Sequence, residues 1–195
     1  MPVDNLDDLF NHYGSDKDRG GYTPYYHSMF KHIRDRPLDI LEIGIGTMIP
    51  NVHSSMVGYS GPGYSPGGSL RAWRDYFPHA NIVGCDVQPD TQFTEERITT
   101  ILADSTNKAA VDTALGDRTF DVIIDDGSHY DENQWKTFEN LWHRVRSGGF
   151  YIVEDIAPGN KMGGVYRHRV KQFIGKTGMI FLAENKNLLI ISSKT

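Results

Sequence analysis

The chain has 195 residues, 38% of them hydrophobic and 23% charged, with a formal net charge of -5. That length suits one domain with a sizeable core, and the acidic balance argues against a nucleic-acid partner, whose phosphates want a basic face. No stretch approaches the apolar length of a membrane span, the acidic start MPVDNLDDLF lacks a signal pattern, and the single cysteine, Cys85, excludes an internal disulfide, so a cytoplasmic protein is expected.

Residues 1–36 read as an N-terminal helical cap. Leu6, Leu9, Phe10 and Tyr13 fall at helical spacing before Gly14. Thr23 and Pro24 then suit the cap and first turn of a second helix running to about Ile33. Tyr22 and Tyr26 either cover a sheet edge or form a lid over a ligand. Leu38 to Ile43 is the first strand, and the run EIGIG places Glu42, Gly44 and Gly46 at its end, where glycine lets the backbone turn tightly and approach a ligand. The third glycine of a dinucleotide fingerprint is missing, which argues against a nicotinamide cofactor. Residues 47–66 form a long loop insertion rich in Gly, Pro, Ser and Tyr, of the kind that binds or covers a ligand. The helix after it begins at Gly67-Gly68-Ser69, whose free N–H groups suit an anionic group.

Asn81 to Val87 is the second strand. Its terminal Asp86 stands where an acid accepts hydrogen bonds from ribose hydroxyls. The third strand, Thr99 to Leu102, is followed by Asp104 and Ser105, within reach of a nucleobase. Asn107 to Leu115 reads as a helix. The fourth strand lies in FDVIIDDGSH, a buried apolar run that stops at Asp125, Asp126, Gly127, Ser128 and His129. Trp135, Phe138, Leu141, Trp142 and Val145 mark a core-facing helix. The fifth strand, in GFYIVED, ends in Glu154 and Asp155. A loop at 157–164, a basic helix at 165–174 and two strands, 179–184 and 188–193, complete the chain. Seven strands alternating with helices predict an α/β fold: a mostly parallel sheet with an antiparallel last strand and helices on both faces.

Two neighbouring strands that both end in paired carboxylates point to a hard cation, because close carboxylates repel unless a cation or proton lies between them. The plain alternative for the first pair is an Asx turn into the next helix.

The motifs YGSDK, GYTPYYHSMF, LEIGIGT, GGSLRAWRDYFP, IDDGSH and GGFYIVEDI resemble the metal-dependent macrolide-sugar O-methyltransferases, within the Rossmann-like class I S-adenosylmethionine methyltransferases. That family carries an additional N-terminal domain, and this chain reads as a single domain over 1–195 without it. The resemblance implies a magnesium site from Asp126, Glu154 and Asp155, with His129 as the catalytic base. It also implies an S-adenosylmethionine site that takes in Glu42, Gly44, Gly46, Thr47, Ser69, Asp86, Val87, Asp104, Ser105 and Asp125. The implied activity is methyl transfer to a hydroxyl of a sugar or glycosylated natural product. A catechol-type acceptor and a non-catalytic cofactor-binding module are the alternatives. The partners expected are a small hydroxylated acceptor and, as an open alternative, further copies of the chain, with neither nucleic acid nor membrane.

Overall fold

The structure is a computed structural model that describes residues 5–60, 64–156, 169, 183–185 and 188–192. In chain order it contains α1 (Leu6–His12), α2 (Thr23–Phe30), β1 (Asp39–Ile43), α3 (Gly68–Tyr76), β2 (Asn81–Asp86), β3 (Thr94–Glu95), β4 (Ile98–Leu102), α4 (Lys108–Leu115), β5 (Phe120–Asp125), α5 (Asp131–Leu141), β6 (Val145–Val153), β7 (Ala183–Asn185) and β8 (Leu188–Ser192).

Among the described residues these strands form one sheet in the order β3-β4-β2-β1-β5-β6-β8-β7. The five from β4 to β6 run parallel. β3 and β8 run antiparallel to β4 and β6, and β7 runs antiparallel to β8. The eighth strand, absent from the sequence-based expectation, is the two-residue β3, too short to leave a periodic signal. The sheet is mixed and mostly parallel.

Successive strand side chains point to opposite faces, and here both sets are buried. Ile40, Ile82, Val122, Ile124 and Ile152 pack with Phe10, Tyr26, Phe30, Leu70 and Trp73 from α1, α2 and α3. Leu41, Ile43, Val83, Cys85, Ile123 and Val153 pack with Val111, Leu115, Phe138 and Leu141 from α4 and α5. The Trp73 indole meets the rings of Phe10 and Tyr26 edge-on at 4.8 and 5.0 Å and ties the N-terminal helices to α3. Cys85 is buried, and burial pushes its thiol up to about 12, as suits a packing residue.

Several boundaries differ from expectation. Tyr22, not Thr23, is the N-cap of α2, and the Thr23 hydroxyl donates to the Asp7 side chain of α1 instead. α2 stops at Phe30, after which an i to i+3 bond from Ile33 to Phe30 turns the chain away. α5 ends at Leu141, a 3-10 turn spans Trp142–Arg144, and β6 already begins at Val145. The expected loop at 157–164 and helix at 165–174 lie outside the described residues, except for a helical Arg169. So does most of the 179–184 strand, of which only 183–184 is described.

Candidate active site

β2 lies on one side of β1 and β5 on the other, so the chain reverses direction across the sheet at the carboxyl ends of β1 and β5. This is the crevice where open α/β sheets take ligands. Gly44 stands in it at φ 90°, and a Cβ there would drive into the Asp126 carbonyl, so the two turns touch only because residue 44 is glycine. Gly46, at φ 85°, gives the same clearance to the Tyr64 hydroxyl, which bonds the carbonyls of Ile45 and Gly46.

Two cavities meet at this crevice and share Gly44, His53, Ser54 and Gly127 in their walls. The first, of about 290 Å³, is lined by Asp86, Val87, Asp104, Ser105 and Asp125. These five expected cofactor residues are therefore brought together. Asp86 also pins the glycine turn: its Oδ2 accepts from the Ile45 amide at 2.8 Å and its Oδ1 from the Gln88 amide at 2.9 Å. Ser105 Oγ lies 2.8 Å from Thr137 Oγ1. Asp125 is buried; its Oδ1 accepts from the Gly127 amide at 3.3 Å while its Oδ2 has no partner among the described residues. Burial pushes its carboxyl up to about 7. An unpartnered buried acceptor on a cavity wall suits a donor supplied by a ligand.

The second cavity, of about 350 Å³, is lined by Gly46 and Ser69 and reaches Asp126, His129 and Asp155. These last three each offer a ligand atom within 4.8 Å of the others. His129 Nε2 lies 3.2 Å from Asp126 Oδ1 and 3.7 Å from Asp155 Oδ2. Both His129 (φ 57°) and Asp155 (φ 52°) hold left-handed backbone conformations, a strain that concentrates at functional sites. Burial disfavours the imidazolium, but Asp126 and Asp155 outweigh it and raise His129 to about 9.

The remaining expected residues lie behind this surface. Glu42 lines neither cavity; it is fully buried and accepts from Ser69 Oγ at 2.7 Å and Trp73 Nε1 at 2.6 Å. Thr47 is also fully buried and donates to Asp90 Oδ1 at 2.5 Å. Glu154 is buried, with one oxygen bonded by the Tyr26 hydroxyl and the other by Lys17 Nζ at 2.6 Å. Tyr22 and Tyr26 are buried as well and their hydroxyls reach Asp155 and Glu154, with Tyr22 also in the wall of a smaller cavity beside Asp155.

Sequence reasoning missed two side chains here. Lys17 is buried among Glu154, Asp126 and Glu42, at 2.6, 2.8 and 3.4 Å. Burial works against its charge, but the three acids raise its pKa well above the ordinary value and keep it an ammonium. The one available signal was that four converging acids need a cation. His53, in the long loop, stacks on Tyr130 at 4.5 Å and its Nε2 lies 2.7 Å from the Ser128 carbonyl, so the loop crosses the crevice. No periodicity marks it.

A family model described as a methyltransferase domain matches residues 61–156. A solved structure of the MycE methyltransferase of the mycinamycin biosynthetic pathway, in complex with Mg, SAH and mycinamycin VI, has a TM-score of 0.79 and 27% identity, covering 97% of this chain and 55% of that one. The chain is a class I methyltransferase in fold. It resembles the macrolide-sugar O-methyltransferases. Demethylmacrocin O-methyltransferase of Streptomyces fradiae is 37% identical over 137 residues, 69% of this chain and 31% of that protein. Mycinamicin VI 2''-O-methyltransferase of Micromonospora griseorubida is 36% identical over 136 residues, with shares of 69% and 31%. The methyltransferase domain thus spans about a third of the length of the curated relatives it matches. Among the described residues no helix is long and apolar enough to cross a membrane.

Proposed function

We propose that this methyltransferase domain transfers a methyl group from S-adenosylmethionine to a hydroxyl of a sugar or glycosylated natural product, in a reaction that needs magnesium. The observation that carries this reading is the convergence of Asp126, His129 and Asp155 where the two cavities meet. Paired carboxylates beside open space fit a hard cation, and the relatives are named for methyl transfer to macrolides and tetracenomycins.

Asp126 and Asp155 are the residues proposed to hold the ion, with Glu154 joining them only where Lys17 yields its Oε2; when bound, the ion would lower the pKa of an acceptor hydroxyl and fix its direction. His129, in its neutral form, would take the proton of that hydroxyl. S-adenosylmethionine, when bound, would supply the methyl group from its sulfonium, so that a methyl ether and S-adenosylhomocysteine would be the products and the proton would rest on His129. Asp86, Val87, Asp104 and Ser105 would hold the nucleoside, and Asp125 Oδ2 would accept from a ligand donor. Much of the remaining acceleration is positioning.

The test is product analysis by mass spectrometry with a glycoside diol and, in parallel, a catechol. Methyl transfer to the glycoside with magnesium, lost with EDTA and in Asp126→Ala, is the expected result. Transfer that persists under EDTA and in that variant overturns the metal role; transfer to the catechol alone overturns the acceptor class.

A further inference from the structure

We propose that Lys17 is the resident counter-ion of the acidic site and sets how tightly that site holds a divalent cation, by competing with it for Asp126 and Glu154. The inference rests on the function proposed above. Lys17 follows α1 by way of the left-handed Gly14, and its carbonyl is fixed by the Tyr22 amide at 3.2 Å. Its three N–H donors face three carboxylates: Glu154 Oε2 at 2.6 Å, Asp126 Oδ2 at 2.8 Å and Glu42 Oε1 at 3.4 Å.

A buried ion pair by itself speaks only of folding. What makes this one functional is Asp126. Its Oδ2 is held by Lys17 while its Oδ1 faces His129, which also reaches Asp155. One carboxylate therefore joins the tethered ammonium to the site offered to the cation. Glu42, Asp126, Glu154 and Asp155 bring four acids together, and Lys17 balances one of them permanently. A divalent ion that draws on Asp126 and Glu154 does so against an ammonium already bonded to both. Lys17 thus holds the acids together between turnovers and keeps the cation exchangeable.

The experiment titrates Mn²⁺ into the purified protein, without cofactor or acceptor, and reads free ion by electron paramagnetic resonance alongside the thermal midpoint. Lys17→Met is expected to bind Mn²⁺ at least about tenfold more tightly than wild type, with a thermal midpoint that depends more steeply on Mn²⁺. Lys17→Met/Glu42→Gln keeps the net charge of the cluster and leaves Asp126 and Glu154 in place. It too should bind more tightly, and it decides the matter if the single variant does not fold. Affinity equal to or weaker than that of wild type in whichever variant folds overturns the proposal. If wild type binds no Mn²⁺ the metal-dependent function fails on its own; a Lys17 variant that then gains binding upholds the counter-ion role, and one that gains none overturns it.

Discussion

The phenol of Tyr22 donates to Asp155 Oδ1 at 2.6 Å, and the phenol oxygen in turn accepts from the Asp155 amide at 3.3 Å. The residue before α2 thereby fixes both the side chain and the strained backbone of an acid at the far end of β6. A partner that aims a metal-binding carboxylate typically contributes 10- to 100-fold in metal affinity. Tyr22→Phe should weaken Mg²⁺ binding about tenfold and leave S-adenosylmethionine binding unchanged. Isothermal titration of each ligand checks this, and an equal loss for both would point to general disorder of the site.

His129 competes with the cation for the same acids. Its pKa is raised to about 9, because Asp126 and Asp155 outweigh burial. Between neutral pH and about 9 the bound proton must leave before the acids are free, so Mg²⁺ affinity should rise with pH across that window and level off above it. In His129→Gln the rise should vanish. In His129→Ala turnover should fall by about 10²–10⁴-fold while S-adenosylmethionine still binds; turnover near wild type would remove the imidazole from proton transfer.

Asp125 links stability to pH. Burial raises its carboxyl from 3.8 to about 7, so the folded state holds the proton more tightly than the unfolded chain does. Its stabilising contribution is complete below the unfolded value and is lost as pH rises through about 7. The span corresponds to at most about 4 kcal/mol. Chemical denaturation of the ligand-free protein at pH 5 and pH 8 should show greater stability at pH 5, with the difference reduced in Asp125→Asn.

His53 joins the long loop to the β5 turn through a 2.7 Å contact with the Ser128 carbonyl and a stack on Tyr130. One hydrogen bond and one ring contact are together worth about 1–2 kcal/mol. His53→Ala should therefore loosen the loop and bind S-adenosylhomocysteine up to about 5- to 30-fold more weakly, mostly through faster dissociation. Stopped-flow measurement of release is the check.

Much of the candidate site was legible because it lies at strand ends. VIIDDGSH and FYIVED each announce a buried strand by its apolar run and a ligand edge by the polar residues that follow. Local pattern therefore placed Asp125, Asp126, His129 and Asp155 on one rim. The direction of a side chain past the strand end was not legible. Glu154 and Asp155 are adjacent, yet one is buried against Lys17 and Tyr26 while the other faces the cavity. Alternation predicts opposite directions but not which residue takes the wet side. Glu42 shows the same limit: its place after β1 suggests a ligand role, and its oxygens are taken by Ser69 and Trp73 from α3.

Hydrophobic period and turn residues, which act within a few positions, determined by themselves the parallel core strands, the glycine turn and the acidic rim. Only the tertiary structure decided that Lys17 stands among three acids drawn from β1 and the ends of β5 and β6, and that the hydroxyls of Tyr22 and Tyr26 bond Asp155 and Glu154. The contacts of Lys17 with Asp126 and Glu154, and of the two tyrosines with Asp155 and Glu154, span more than a hundred positions of chain, where no local period reaches, and they form because buried carboxylates such as Glu154 must find donors wherever the fold can bring them.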